Sequence, residues 1–401
     1  METVRERIEK ILDGKRPERL PAYTPTIASD VASRILGRKA YTGGPELWYE
    51  EAIAWTNGKS AWEEFNSQVV EDIIAIHRVL GWDVIRLPWR NNIKPSKRID
   101  ECTFVCGDPD GMHQVWKWDP QSMNFFMIHD SSNGTSPEDW PELASSVERG
   151  IDDRIEVIRS SFGDELVALQ KRVGDDMYVI GGGAALSLGV DESSLIAAVL
   201  YPEAVEKILD CQLQVGLAQL EALAKHGIKV VLGGGDMADK NGPIYSPEMF
   251  YRFMAPRWEK IADKCRELDL HYVWRSDGNI WKISDFLFKE AKFPGYGEVD
   301  FDASMTTAAL KERYPELVIW ANVSGDKLRR CSSEEVYKHC MEILYSSDGK
   351  GHVYGCSNTI LPGTPVENVY SMMQALDDFS RQNKKRTKVT IADEDIKYKD
   401  R

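Results

Sequence analysis

The sequence predicts a single (β/α)8 barrel, and three observations carry that expectation. Eight short apolar runs alternate with long amphipathic ones. Several of the amphipathic runs open on helix-start chemistry. The fourth apolar run ends in three glycines and an acid, Gly233-Gly234-Gly235-Asp236. Strands separated by whole helices run parallel, with each helix as a crossover. Eight of them suit a closed barrel better than a doubly wound open sheet, the alternative architecture.

In chain order, METVRERIEKIL reads as a charged amphipathic helix rather than a secretory signal. The predicted strands are Leu20–Tyr23, Trp82–Leu87, Tyr178–Ile180, Ile228–Leu232, His271–Trp274, Tyr296–Val299, Val318–Val323 and His352–Cys356. The predicted helices are Glu46–Ala54, Ser60–Val79, Pro137–Ser161, Pro202–Lys225, Pro247–Leu268, Ile280–Glu290, Met305–Arg313, Ser333–Tyr345 and Pro365–Phe379. Ser136-Pro137, Tyr201-Pro202, Ser246-Pro247-Glu248 and Ser332-Ser333-Glu334 mark helix starts. A polar cap accepts an amide the first turn leaves unpaired, and a proline there has none to satisfy. Residues 91–140 break the alternation. Polar but bearing Phe104, Trp116, Trp118, Phe125 and Phe126, they read as a β-hairpin and loop inserted after the second strand. Such an insertion is either a lid over the barrel mouth or an excursion that buries its aromatics on the flank. Residues 1–380 read as one domain and 381–401 as a charged, loose tail.

At 401 residues and 42% hydrophobic content, the chain can bury a large core. A formal charge of -14 argues against general binding to nucleic acid or anionic membranes, which needs a basic face. No apolar run approaches the roughly 18 residues that span a bilayer. Seven cysteines without a CxxC pair suit a reducing compartment. A cytoplasmic protein is the expectation, and its outer helices suit a two-fold dimer.

The carboxyl ends of the predicted strands collect the groups that could do chemistry. They are Arg86; Gly234, Gly235 and Asp236; Arg275, Asp277 and Asn279; Glu298; Asn322; and Cys356 with Asn358. Glycine lets the backbone approach a ligand, so Gly234 and Gly235 are candidates for cofactor contact. The guanidinium of Arg275 offers a planar fork for a carboxylate or phosphate; its other role would be an internal ion pair with Asp236, Asp277 or Glu298. Those three clustered carboxylates repel one another, so one is expected to keep a proton and act as a general acid. Arg86, Asn279, Asn322 and Asn358 are further candidates for holding substrate. Zinc is not expected. His271 lies four residues before its strand's end and His352 at the wrong end, leaving Cys356 and carboxylates, a poor donor set.

The segments GDMADKNGPIYSPEMFYRFMAP, RSDGN, ANVSG and GCSNTILPGTPVENV, with GKRPERLPAY near the start, resemble the uroporphyrinogen decarboxylase superfamily. That group includes the decarboxylases and the corrinoid-linked methyltransferases, and the resemblance implies a barrel with its site at the carboxyl ends. The chain departs from the decarboxylases in three places. TPTIASDVAS replaces their Arg-rich segment, Ile85-Arg86-Leu87 their pyrrole-binding acid, and no histidine stands near Ser357. In the methyltransferases a His-x-Cys and a late Cys hold zinc. Cys356 matches the late ligand, while Arg275 and Asp277 replace the other two. The Asn241–Ser246 loop, with Tyr245 as a substrate contact, matches that branch. The resemblance therefore implies a zinc-independent methyltransferase that exchanges a methyl group between a small methylated or methoxylated anion and a corrinoid on a partner protein. Arg275 would hold the anion, and Asp236 or Glu298 would protonate the leaving atom. The alternatives are a cofactor-free carboxy-lyase acting on a carboxylated ring, and a non-catalytic barrel that binds a tetrapyrrole or a partner.

Overall fold

The computed structural model describes residues 2–90, 94–131 and 136–399, with the side chains of the last helix as far as Asn383. A parallel sheet forms its centre. Gly181–Gly182, Val230–Gly234, His271–Arg275, Gly295–Gly297, Val318–Trp320 and His352–Val353 lie side by side in chain order. Val84–Ile85 pairs in parallel with Tyr178–Val179, which runs directly into Gly181–Gly182. At the sequence's first apolar run, Ala22 O accepts from Asp83 N and Val84 N at 2.9 and 3.2 Å. Ala22 also bridges in parallel to Tyr354. The fold is thus α/β with parallel strands.

Side chains along each strand alternate between two apolar clusters, as a period of two requires. Val230 and Leu232 join one cluster and Val231 the other; Val273 joins the first, Tyr272 and Trp274 the second. Both faces are covered, so the strands read as continuous apolar runs rather than alternating ones. The helices form where caps permit. Ser332 and Glu335 exchange bonds in a capping box at the start of Ser333–Ser346, and Ser246 accepts from Met249 N at 3.2 Å. The buried Asp83 ties the N-terminal helix Val4–Leu12 to this frame, meeting Arg7 and Arg19 at 2.8 and 2.9 Å.

Several expectations need correction. The insertion is a four-stranded antiparallel sheet, Pro95–Arg98, Thr103–Gly107, His113–Asp119 and Asn124–Asp130, rather than one hairpin. Phe104 and Phe125 bury against Ala52 and Trp48 of the helix Gly44–Thr56. Residues 91–93 and 132–135 of that segment, and 400–401 of the tail, lie outside the described residues. The expected helix Pro137–Ser161 divides at Gly150 into Trp140–Arg149 and Ile151–Ser161. Pro247–Leu268 contains a π-helical turn, Phe250–Met254, just before Pro256, whose nitrogen donates no hydrogen bond. Ile280–Glu290 opens on a turn at 281–283 and is helical only from Ser284, with a π-helical stretch at Phe286–Glu290. Ser29–Leu36, Asp164–Val173, Glu192–Leu200 and Gly325–Arg330 are helices that periodicity did not separate from loop. The last helix continues from Val366 to Lys399 where a loose tail is expected. Among the described residues no helix is long and apolar enough to cross a membrane.

Gly355 shows how tightly the first and last segments meet: a Cβ there would lie 1.7 Å from Tyr23 O. Gly355→Ala is expected to cost about 3 kcal/mol of stability. Gly182→Ala, whose nearest neighbour would be Leu232 O at an ordinary 3.6 Å, should change it by less than about 1 kcal/mol. Denaturant melts of the two variants check the contrast.

Candidate active site

The glycines after Val230 are required by neighbouring protein atoms. A Cβ on Gly233 would meet the Tyr272 hydroxyl at 2.1 Å, one on Gly234 the Arg275 carbonyl at 2.2 Å, and one on Gly235 the Leu186 carbonyl at 2.4 Å. Gly234 also has φ +130°, a backbone that side chains rarely adopt. The space that suggested cofactor contact at Gly234 and Gly235 is therefore filled by adjacent strands and loops. What the glycines do is bring Asp236 level with the end of the next strand.

Parallel register sets Arg275 beside Gly234 and Gly297, and Glu298 follows with φ +56°. Arg275 Nη1 donates to Glu298 Oε2 at 2.7 Å and lies 3.7 Å from Asp236 Oδ1. The three side chains differ sharply in exposure: Glu298 1%, Arg275 22% and Asp236 67%. Burial raises the Glu298 carboxyl, while Arg275 and Arg86 pull it down. The internal ion pair is thus formed, and it leaves the outer part of the guanidinium open.

Asp277 stands on the same rim, half-buried, and its Oδ2 accepts from Asn358 Nδ2 at 2.9 Å. Burial, then the charges of Glu298, Asp236 and Asp300, push its carboxyl from 3.8 to about 7. Of the three clustered acids, this is the one placed to hold a proton near neutrality. The sequence pointed to Asp236 or Glu298 for that role, because the choice among the three depends on distance and burial.

Two aromatic residues complete the mouth and were read only as apolar. Trp89 lies under both guanidiniums, 4.1 Å from Arg86 Cζ and 5.6 Å from Arg275 Cζ. Tyr23 is buried, and its hydroxyl is pushed up to about 12 by burial, against the pull of Arg86. Tyr23 closes an apolar run with a polar tip and Trp89 stands two residues past the end of the next, between Pro88 and Arg90, which are the signals that could have found them.

Three residues assigned to substrate stand differently from one another. Asn322 is fully buried; its Oδ1 accepts from Thr307 N and Oγ1, and its Nδ2 donates to Val299 O and Met305 O. Asn279 Oδ1 accepts from Trp281 N at 3.1 Å and so shapes its own turn. Tyr245 is buried in the apolar cluster, its hydroxyl has no hydrogen-bond partner among the described residues, and the Asp236 charge helps burial push it up to about 12.

For a metal, the donor set decides. Oxygens of Asp236, Asp277 and Glu298 lie within 4.8 Å of one another, a set suited to a hard divalent ion. Arg275 already neutralises two of them. Cys356 is fully buried, its thiol pushed up to about 12, and it does not join that group. His271, half-buried and lowered to about 4 by desolvation, is also outside it. The residues therefore do not fit a His/Cys zinc centre.

The uroporphyrinogen decarboxylase (URO-D) family model matches residues 178–379, half of the chain and nearly all the parallel strands described above. The chain belongs to the URO-D family. Uroporphyrinogen decarboxylase of Coxiella burnetii (strain RSA 493 / Nine Mile phase I) is 24% identical over 197 residues, 47% of this chain and 52% of the relative. That of Methylibium petroleiphilum is 23% identical over 209 residues, 49% and 53% of the two chains. The chain thus matches about half the length of these curated relatives. A methyltransferase from Methanosarcina mazei has the same fold, with TM-score 0.60 at 19% identity, covering 94% of this chain and 99% of that one.

The raised Asp277 gives this URO-D family member a pH signature. Between roughly pH 4 and 7 the folded chain keeps a proton that the unfolded chain has released, so stability falls as pH rises through that window. Asp277→Asn removes this contribution. Its melting temperature relative to wild type should climb from the acid end of that window to neutrality, then level off.

Proposed function

We propose that the chain is a methyltransferase of the URO-D family. It would move a methyl group between a small methylated or methoxylated anion and a corrinoid that a partner protein brings as co-substrate. The eight neighbouring segments are taken as a closed (β/α)8 barrel spanning one domain, with the mouth at their carboxyl ends. The parallel register of six segments, the Val84–Tyr178 pair and the contacts of Ala22 with segments on both sides support that reading.

The observation that carries the chemistry is Asp277, a carboxyl pushed to about 7 on the same rim as Arg275. Breaking a methyl–oxygen or methyl–nitrogen bond leaves an electron pair on the heteroatom, and a proton delivered there makes it a better leaving group. Asp277 supplies that proton, while Asn358 fixes the orientation of its carboxyl. The outer edge of Arg275 orients the substrate's anionic group, and Glu298 fixes the guanidinium from behind. Asp236, the most exposed of the three acids, faces solvent beside Arg275. The corrinoid, when bound, supplies the nucleophile that accepts the methyl group.

A second reading, a carboxy-lyase, is favoured by the two guanidiniums stacked on Trp89 and by the names of the curated relatives. One experiment separates the two. Purified protein is given cob(I)alamin and a panel of methoxylated and N-methylated acids. Methylcobalamin formation that Asp277→Asn slows by roughly a hundredfold, the scale of one general acid, supports methyl transfer. Carbon dioxide released without corrinoid, and no methylcobalamin from any acid, would replace it with the lyase.

A further inference from the structure

A pocket of about 290 Å³ opens at the amino ends of the parallel strands, opposite the mouth. Its floor is Tyr178, the first residue of Tyr178–Val179, with Ile228 just ahead of Val230–Gly234. Its walls are the helices Asp164–Val173 and Val4–Leu12, which supply Val167, Lys171 and Arg5. Arg275 stands level with Gly234, at the other end of the same strand. The pocket therefore takes no part in the chemistry assigned to Arg275 and Asp277.

Its lining holds Arg5, Lys171 and Lys229 and no acid, in a chain whose formal charge is -14. All three cations are exposed, so a ligand can reach their charged ends. Lys229 Nζ is matched by Asp269 at 2.7 Å, and His226 Nε2, at the rim, lies 3.5 Å from Asp164. Arg5 and Lys171 differ. Neither makes an ion pair or a side-chain hydrogen bond among the described residues. Arg5 Cζ stands 5.7 Å from the centre of the Tyr178 ring, which holds the guanidinium over the floor. Arg5 favours the ionised form of the Tyr178 hydroxyl more strongly than Glu9, one turn along, opposes it. Two positive charges are thus left unmatched across one small concave space. Charges of one sign in a cleft concentrate the opposite ion there.

We infer that this pocket binds a small phosphate monoester, whose head spans Arg5 and Lys171 and whose short body lies against Val167 and Ile228. A phosphate monoester is a dianion above its second pKa of about 6, so it balances the two unmatched cations. The guanidinium meets two phosphate oxygens as a fork, and the ammonium meets a third as a point charge. The volume lies at the small end of ligand sites, which run from roughly 300 to 1,000 Å³, and holds the body to a few carbons. Bound there, the ligand joins the N-terminal helix to Asp164–Val173.

The test is calorimetric titration of the full-length protein with propyl phosphate, in phosphate-free buffer of low ionic strength. The matched controls are 1-propanesulfonate, a monoanion with the same body, and neutral 1-propanol. Propyl phosphate should bind, the sulfonate more weakly by roughly tenfold or more, and propanol not at all. Arg5→Gln and Lys171→Gln, at exposed residues without partners in the fold, should each weaken propyl phosphate by roughly tenfold. Val167→Trp, which fills the pocket and leaves every cation in place, should abolish binding. Lys289→Gln, at a cation paired with Asp285 elsewhere on the surface, should change the affinity by less than about twofold. The inference is overturned if propyl phosphate does not bind, if the sulfonate binds as tightly, or if the affinity survives Val167→Trp or both pocket glutamine variants. A loss in Lys289→Gln as large as that in Arg5→Gln would overturn it too, by reducing the effect to general surface charge.

Discussion

The ion pair between Arg275 and Glu298 sets the character of the mouth. A carboxylate as enclosed as Glu298 needs a cation and hydrogen bonds to stay charged, and parallel register delivers Arg275 to it at 2.7 Å. Removing one member of such a pair leaves an uncompensated buried charge, typically a cost of about 3–5 kcal/mol. The pair therefore holds the two strand ends together as much as it prepares a binding group. With Arg275 largely spent on Glu298 and Asp236, the neighbouring Asp277 feels their negative charge more than the positive one. Its proton affinity follows from burial first and from that imbalance second, and so does the chemistry proposed for it.

The glycine triplet makes the geometry attainable. Tyr272, Arg275 and Leu186 press against the Cα positions of Gly233, Gly234 and Gly235, leaving no room for side chains. Packing this close lets neighbouring strand ends present Asp236, Arg275 and Glu298 within one small region. The triplet acts through packing, and its functional effect is indirect. A polar residue at a strand end therefore contributes only if its hydrogen bonds are not already taken. Asn322 and Asn358 illustrate the difference. The first is bonded to four groups inside the fold, while the second turns outward to Asp277.

Much of this was legible in the sequence, for identifiable reasons. Apolar runs and capped amphipathic runs located the parallel strands and most of their helices, because burial and capping act locally. The strand ends located Asp236, Arg275, Asp277 and Glu298, because parallel strands present their ends together. Hydrogen-bond partners were not legible, so Asn322 looked as available as Asn358. Tyr23 and Trp89 were hidden by their apolar bodies, since a ring that fills a core and one that carries two guanidiniums have the same letter. The insertion was misjudged because its strands pair across turns that lack a strong two-residue hairpin signal, and its burial against Gly44–Thr56 is long-range.

The proposed chemistry stands on Asp277 retaining a proton near neutral pH because of its burial and the acids around it. The direct measurement is a carbon-13 NMR titration of the aspartate carboxyls, with Asp277→Asn used to assign the resonance. The account requires a midpoint near 7 that moves down when Glu298→Gln removes the nearest negative charge. A midpoint close to the ordinary aspartate value of roughly 4, unchanged by Glu298→Gln, would contradict it.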